Sequence, residues 1–186
     1  MKRIIEWILG LLNKDIIEEV TPLRQVSDDL LRSLIESEAV ELKEYKDQAG
    51  LPTIGVGHLL TKDELSTGVI KIGGKDVKYK DGITRYQAMA LLGHDLVPFC
   101  NAVEKFTKVI LNQHEFDALV HFAFNVGVSA FKNSTLLKLI NESKLDEAAD
   151  QFEKWIYITR NGEKIKSLGL SNRRAKEKKM FKEGVY

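Results

Sequence analysis

The sequence predicts an α+β protein: a small β-rich lobe over about residues 41–83, and a larger helical lobe over about 84–186 that also takes in a helix over 28–38. Three observations predict this. Glycines and strand-forming residues crowd into "EYKDQAGLPTIGVGHLLT" (44–61) and "VIKIGGKDVKY" (69–79). Apolar residues recur at helical spacing in "SDDLLRSLIESE" (27–38), and helical patterning takes over from Thr84 onward. Strand signals and helix signals segregated along the chain argue for α+β rather than for an alternating α/β arrangement.

Residues 1–26 form an extension ahead of these elements. In "MKRIIEWILGLL", Ile4, Ile5, Ile8, Leu11 and Leu12 share one helical face, which Trp7 and Leu9 widen. The run is about half of the roughly 20 residues that span a bilayer. It contains Glu6, and no small-residue cleavage site follows it. The reading favoured is a short amphipathic helix packed on the protein itself. Membrane contact through residues 1–20 and an export signal are the alternatives.

Ser27 is placed to cap the helix over 28–38, with Asp28 and Asp29 favouring its positive end and Leu30, Leu31, Leu34 and Ile35 forming its apolar stripe. "TIGVGHLL" supplies strand residues around glycines, and "VIKIGGKDVKY" alternates about a Gly-Gly pair as a hairpin does. Residues 62–82 are the longest linker-like stretch. Thr84 and Gln87 box the start of the next helix, which Pro98 is expected to end or kink. Asn112 and Glu115 box another, which stops at Gly127. "STLLKLINES" and "KLDEAADQFEKWI" read as shorter amphipathic helices, and "TRNGEKIKSLG" as a polar turn or hairpin. Ser171 is expected to cap a last basic helix that ends near Gly184.

With 186 residues, 44% hydrophobic and 30% charged, the chain has the profile of an ordinary globular protein with one core or two small lobes. A single cysteine, Cys100, cannot form an internal disulfide, which points to a reducing compartment. With one Cys and four scattered His no pair has metal-ligand spacing, so neither a metal nor another cofactor is expected. The net charge of +1 hides a split. Residues 15–47 hold ten acids against four bases, a net of −6, whereas residues 160–186 hold nine bases against three acids, a net of +6. The basic end reads either as a solvated face or as a surface for an anionic polymer. It lacks the interleaved aromatics and the motif that nucleic acid would require.

Three residues carry candidate chemistry: Glu38, Asp47 nine positions on, and Thr53 six further. Glu38 falls at the C-terminal end of its helix, where the dipole disfavours ionisation; a carboxyl so placed can keep its proton and act as a general acid. Asp47 lies in a turn before Gly50, placed to be ionised and to act on water, and the Thr53 hydroxyl can orient that water. Two carboxyls in contrasting environments suit acid-assisted glycoside cleavage, although solvated surface acids would give the same pattern.

Several ordered blocks resolve that ambiguity. The E-x8-D-x5-T spacing sits within "EAVELKEYKDQAGLPTIGVGHLLT", followed by "GITRYQAMALLGHDL", "FNVGVSAFKNSTLLKLI" and "GLSNRRAKE". Over residues 28–186 the sequence resembles the phage-type lysozymes, glycoside hydrolase family 24, a family that includes tailed-phage endolysins. The resemblance implies a lysozyme-like fold with an active-site cleft between its lobes. It also implies hydrolysis of the β-1,4 bond between N-acetylmuramic acid and N-acetylglucosamine in peptidoglycan. The acid role passes to Glu38, and the water-handling and electrostatic role to Asp47 with Thr53. His58 and Asp95 are matched as a structural ion pair. Arg174, with Arg173 as fallback, matches an arginine that steers the acid. Leu59, Phe124, Asn125 and Ser134 match cleft-lining positions.

The resemblance further implies a peptidoglycan partner, a monomer, and an enzyme that is made in the host cytoplasm and reaches the wall at lysis. Two features depart from the family pattern: Ala39 stands where many members have glycine, and the N-terminal extension of about 27 residues has no counterpart in the family core. A lytic transglycosylase and a non-catalytic wall-binding module are the competing readings.

Overall fold

A computed structural model of the chain describes residues 24–37, 40–47, 49–160 and 162–186. The amphipathic extension up to residue 23, Glu38 and Ala39 therefore lie outside the described residues. Two compact units divide what is described: Leu31–Val97, and residues 24–30 together with Pro98–Tyr186.

Helix α1 (Asp28–Ser37) begins where the sequence places it, with the Ser27 hydroxyl accepting the Leu30 N–H at 3.1 Å. Leu30, Leu34 and Ile35 are buried on its apolar stripe. Strands β1 (Glu41–Lys46), β2 (Pro52–Gly55) and β3 (His58–Leu59) make an antiparallel sheet in that order. Its register pairs Tyr45 with Thr53, Thr53 with Leu59, and Ile54 with His58. A hairpin of β4 (Val69–Ile72) and β5 (Lys75–Lys78) turns on Gly73 and Gly74. Both glycines have positive φ (56° and 75°), as a two-residue hairpin turn of this kind requires. Ile54, Leu60, Ile70, Ile72, Tyr79 and Ile83 are buried together with Ala88 and Leu91 of the following helix.

Those two helical residues explain a shift in the unit boundary. The sequence places it at 83/84, but the first half of helix α3 (Arg85–Phe106) shares its apolar cluster with the strands, and the division falls at 97/98. The Thr84–Gln87 box forms as expected, with reciprocal bonds of 2.8 and 3.1 Å. Pro98, however, does not end the helix, which continues to Phe106. Leu91, Leu92 and Leu96 before the proline, and Cys100 and Val103 after it, are all buried. That burial outweighs a proline penalty of about 3 kcal/mol.

The linker-like stretch 62–82 contains helix α2 (Lys62–Thr67) as well as the hairpin. Thr61 and Glu64 form its capping box and Gly68, in the left-handed region, closes it. In the second unit, α4 (Gln113–Val126) is buried continuously from Glu115 to Ala123, and α8 (Leu168–Glu183) packs along it. The helix α4 stops at Gly127, as expected. Short helices α5 (Val128–Lys132), α6 (Thr135–Asn141) and α7 (Leu145–Gln151) and a 3₁₀ turn follow. Phe122 meets Phe152 and Trp155 edge to face, at 5.4 and 5.3 Å.

"TRNGEKIKSLG" does form a hairpin, β6 (Tyr157–Arg160) with β7 (Glu163–Lys166), whose residues are exposed on both strands. The cap of the last helix is Ser167, not Ser171. Ser167 is extended and its hydroxyl accepts the Leu170 N–H, whereas Ser171 lies within the helix and donates its hydroxyl back to the Ser167 carbonyl at 2.8 Å. Among the described residues no helix is long and apolar enough to cross a membrane.

Candidate active site

Asp47 follows β1, and the turn beyond it is built on its own side chain. Asp47 Oδ1 accepts the N–H groups of Ala49 and Leu51, each at 2.8 Å. The Asp47 carbonyl accepts the Gly50 N–H at 2.9 Å, and Gly50 takes φ 80°, a conformation glycine adopts freely. Asp47 Oδ2 is left unclaimed among the described residues.

Thr53 lies in β2 and is buried, with its hydroxyl donating to the Leu51 carbonyl at 3.0 Å. That same carbonyl accepts the Asp47 N–H at 3.0 Å. Leu51 therefore ties the two side chains together, giving its N–H to the Asp47 carboxylate and its carbonyl to both Asp47 and Thr53. Since the Thr53 proton is directed at Leu51, its oxygen keeps acceptor capacity for another donor.

His58, the first residue of β3, lies across from Ile54 and so directly beside the Thr53–Leu59 pair. Its Nδ1 stands 2.9 and 3.0 Å from the two Asp95 oxygens. This is the pairing the resemblance implies. Its Nε2 stands 3.3 Å from both oxygens of Glu64, a second carboxylate that sequence reasoning missed. Burial works against a charge on the imidazole, but Asp95 and then Glu64 outweigh it, and His58 holds its proton above the ordinary histidine range. Leu59 is exposed.

In the second unit, Arg174 has no exposed surface. Its Nη2 donates to Glu177 Oε1 and to Asn125 Oδ1, both at 2.8 Å, while Nε approaches Glu177 Oε2 at 2.8 Å without the alignment of a hydrogen bond. The guanidinium stacks over the Phe122 ring, 5.0 Å from its centroid. Buried His121 places Nδ1 3.3 Å from Glu177 Oε1, and burial, helped by the nearby arginines, pushes that imidazole down to about 3. Ser134 is buried as the N-cap of α6, accepting the Leu137 N–H at 3.1 Å and donating to the Phe131 carbonyl at 2.7 Å. Phe124 is half-buried against Phe99, edge to face at 5.3 Å.

Residues 35–177 match the family described as phage lysozyme. The chain belongs to the phage lysozyme family. It is 36% identical to an endolysin of Bacillus phage PZA over 88% of this chain, and spans only 56% of that protein's length. It is 38% identical to the endolysin of Salmonella phage P22, over 72% of this chain and 84% of that one. Its fold is also similar to the solved endolysin of Escherichia coli O157:H7 phage FAHEc1, with a TM-score of 0.75, 36% identity, and coverage of 89% of this chain and 98% of that one.

In this chain the Asp47–Thr53 spacing corresponds to a single hydrogen-bonded turn. The Glu64 contact was legible in principle: Thr61-x-x-Glu64 is a capping-box signature that fixes Glu64 beside the end of β3. Glu177, three residues after Arg174 on a helix, also carried a spacing signal. His121 carried none.

Proposed function

We propose that this chain is a muramidase, hydrolysing the β-1,4 bond between N-acetylmuramic acid and N-acetylglucosamine in peptidoglycan. The observation that carries the reading is the Leu51 bridge, which holds on the same turn a hydroxyl with acceptor capacity and a carboxylate whose second oxygen is unclaimed among the described residues. Family membership supplies the substrate class. A water between them gives one proton to Asp47 Oδ2 and directs the other at Thr53 Oγ1. The water oxygen then attacks the anomeric carbon of the muramic acid residue. Glu38 donates its proton to the glycosidic oxygen as the C–O bond breaks, so the departing sugar leaves as an alcohol. Asp47 in its ionised form also faces the positive charge that develops on the sugar ring.

Supporting roles follow. His58 with Asp95 holds β3, and Arg174, anchored by Glu177 and Asn125, stiffens the last helix and leaves Arg173 beside it as a second candidate to steer the acid. Leu59, Phe124, Asn125 and Ser134 are the positions for sugar contact. The enzyme works as a monomer on glycan strands, made in the host cytoplasm and acting at the wall on lysis.

Glu38→Gln removes the proton donor and keeps the shape. It should reduce lysis of purified cell wall to about one per cent or less, a loss on the order of 10²-fold or more, with an unchanged melting temperature. Glu36→Gln and Glu41→Gln should stay active. A Glu38→Gln protein that still lyses wall would falsify the assignment. Mass spectrometry of the fragments separates hydrolysis from transglycosylation, because the hydrolytic product is heavier by one water than the anhydro product.

A further inference from the structure

We propose that Glu64 is a positioning residue: together with Asp95 it clamps His58 from both ring nitrogens and so holds the two-residue strand β3 in register against Thr53. This deepens the muramidase reading and rests on it only for its link to wall lysis.

The sheet needs such a device. Strand β3 contains only His58 and Leu59, and beyond it a single main-chain bond, from Leu60 N–H to the Pro52 carbonyl at 2.9 Å, closes the strand pair. Leu59 is opposite Thr53, so a slip of β3 alters the strand partner of the hydroxyl proposed to orient water. Asp95 projects from α3 and Glu64 from the first turn of α2, so His58 is the knot between three elements. The side chains of His58, Asp95 and Glu64 are only 13%, 19% and 17% exposed, and solvent screens their attraction far less than it would on an open surface.

Glu64 is itself fixed before it meets His58. Its Oε2 accepts the Thr61 N–H at 2.8 Å and the Thr61 hydroxyl at 2.9 Å. Those bonds hold its carboxyl below the usual range despite the opposing effect of burial, and His58 adds to the same effect. Among the described residues His94, which is mostly exposed, also approaches the cluster, 3.9 Å from Asp95.

The clamp depends on charge, and its sign is fixed. His58 binds its proton more tightly in the folded protein than in the unfolded chain. Its contribution is therefore complete below the unfolded histidine value of about 6.5 and is lost as pH rises through the higher folded value.

Glutamine at N3 preserves a capping box, so Glu64→Gln removes the charge while leaving the start of α2 intact. In the full-length protein, NMR titration should show the His58 midpoint moving to lower pH in Glu64→Gln. The hydrogen-exchange protection of the Leu60 amide should fall in the pH interval so opened. The Leu65 amide, which donates to the Thr61 carbonyl at 2.9 Å inside α2, should keep its protection. Wall lysis should lose its alkaline limb, up to about tenfold at fixed pH for each unit the midpoint moves. Glu44→Gln, which breaks the exposed Glu44–Lys80 pair, should change none of these.

An unmoved His58 midpoint in Glu64→Gln overturns the proposal, and so does a moved midpoint with unchanged Leu60 protection. A parent protein whose His58 titrates at or below the ordinary histidine value overturns it without any variant. If the parent fails to lyse wall, the muramidase reading falls, while the two NMR measurements still decide the clamp.

Discussion

Tyr186 donates its phenolic O–H to Asp117 Oδ2 at 2.6 Å, and burial together with that carboxylate pushes its own ionisation up to about 12. Asp117 is fully buried in α4, and its other oxygen accepts the Gln113 side-chain amide at 2.9 Å and the Ser27 N–H at 3.2 Å. One carboxylate thus joins the approach to α1, the first turn of α4 and the last residue. A buried charge is tolerated only where its hydrogen-bonding capacity is met. Tyr186→Phe keeps the ring and removes the donor, so it should cost about 1–3 kcal/mol in urea unfolding with an unchanged slope. A cost near zero would mean that another donor replaces the phenol. Only the Gln113 contact, four residues back on the same helix, carried a spacing signal; the partners at residues 27 and 186 reach Asp117 through the fold alone.

At the level of elements, the outcome of each sequence reading follows how locally its signal was encoded. Both helix boxes at Thr84 and Asn112 were legible because a cap and its partner are three residues apart; the Glu115 carboxylate accepts the Asn112 N–H at 2.6 Å. Strand β1 was not legible as a strand: its six residues, Glu-Leu-Lys-Glu-Tyr-Lys, are almost all exposed and show no two-residue alternation. Asp47 and Thr53 could be paired from spacing, but what joins their side chains is the peptide group of Leu51, which the side chain at position 51 does not encode. The continuation of α3 through Pro98 was likewise hidden, since it depends on apolar contacts distant in sequence. There, position 98 has no N–H to offer the His94 carbonyl one turn back. Pro98→Ala restores that donor and should raise unfolding stability by up to about 3 kcal/mol, read as a higher melting temperature. A lower one would mean that the proline's shape is itself needed in the packing.

Over the whole molecule the charge split of the sequence is partly answered within one unit. Lys178 reaches Asp150 at 2.9 Å and Glu153 at 2.7 Å, and Lys182 reaches Asp146 at 3.0 Å, so acids from α7 and the 3₁₀ turn cover part of the basic last helix. Lys176 and Lys179 are exposed and have no such partner among the described residues. If the basic face attracts anionic wall polymer, these two lysines carry the attraction, and added salt should weaken it once the screening length falls to about 8–10 Å. Replacing Lys176 and Lys179 by Gln should flatten the salt dependence of wall lysis, while Lys178→Gln should leave it as in the parent. Equal salt profiles for all three proteins would reduce the basic face to a solvated surface.

The Leu51 bridge bears on how freely this site can drift in sequence. Every bond that Leu51 makes to Asp47 and Thr53 comes from its peptide group, while its side chain points outward with 48% of its surface exposed. Selection on catalysis therefore acts on the backbone path at position 51 and hardly at all on which residue follows it. Proline alone is barred, because it has no N–H to give Asp47. A library saturating this position should return nearly every residue but that one among the active clones, beside two neighbours, Asp47 and Thr53, that return almost none.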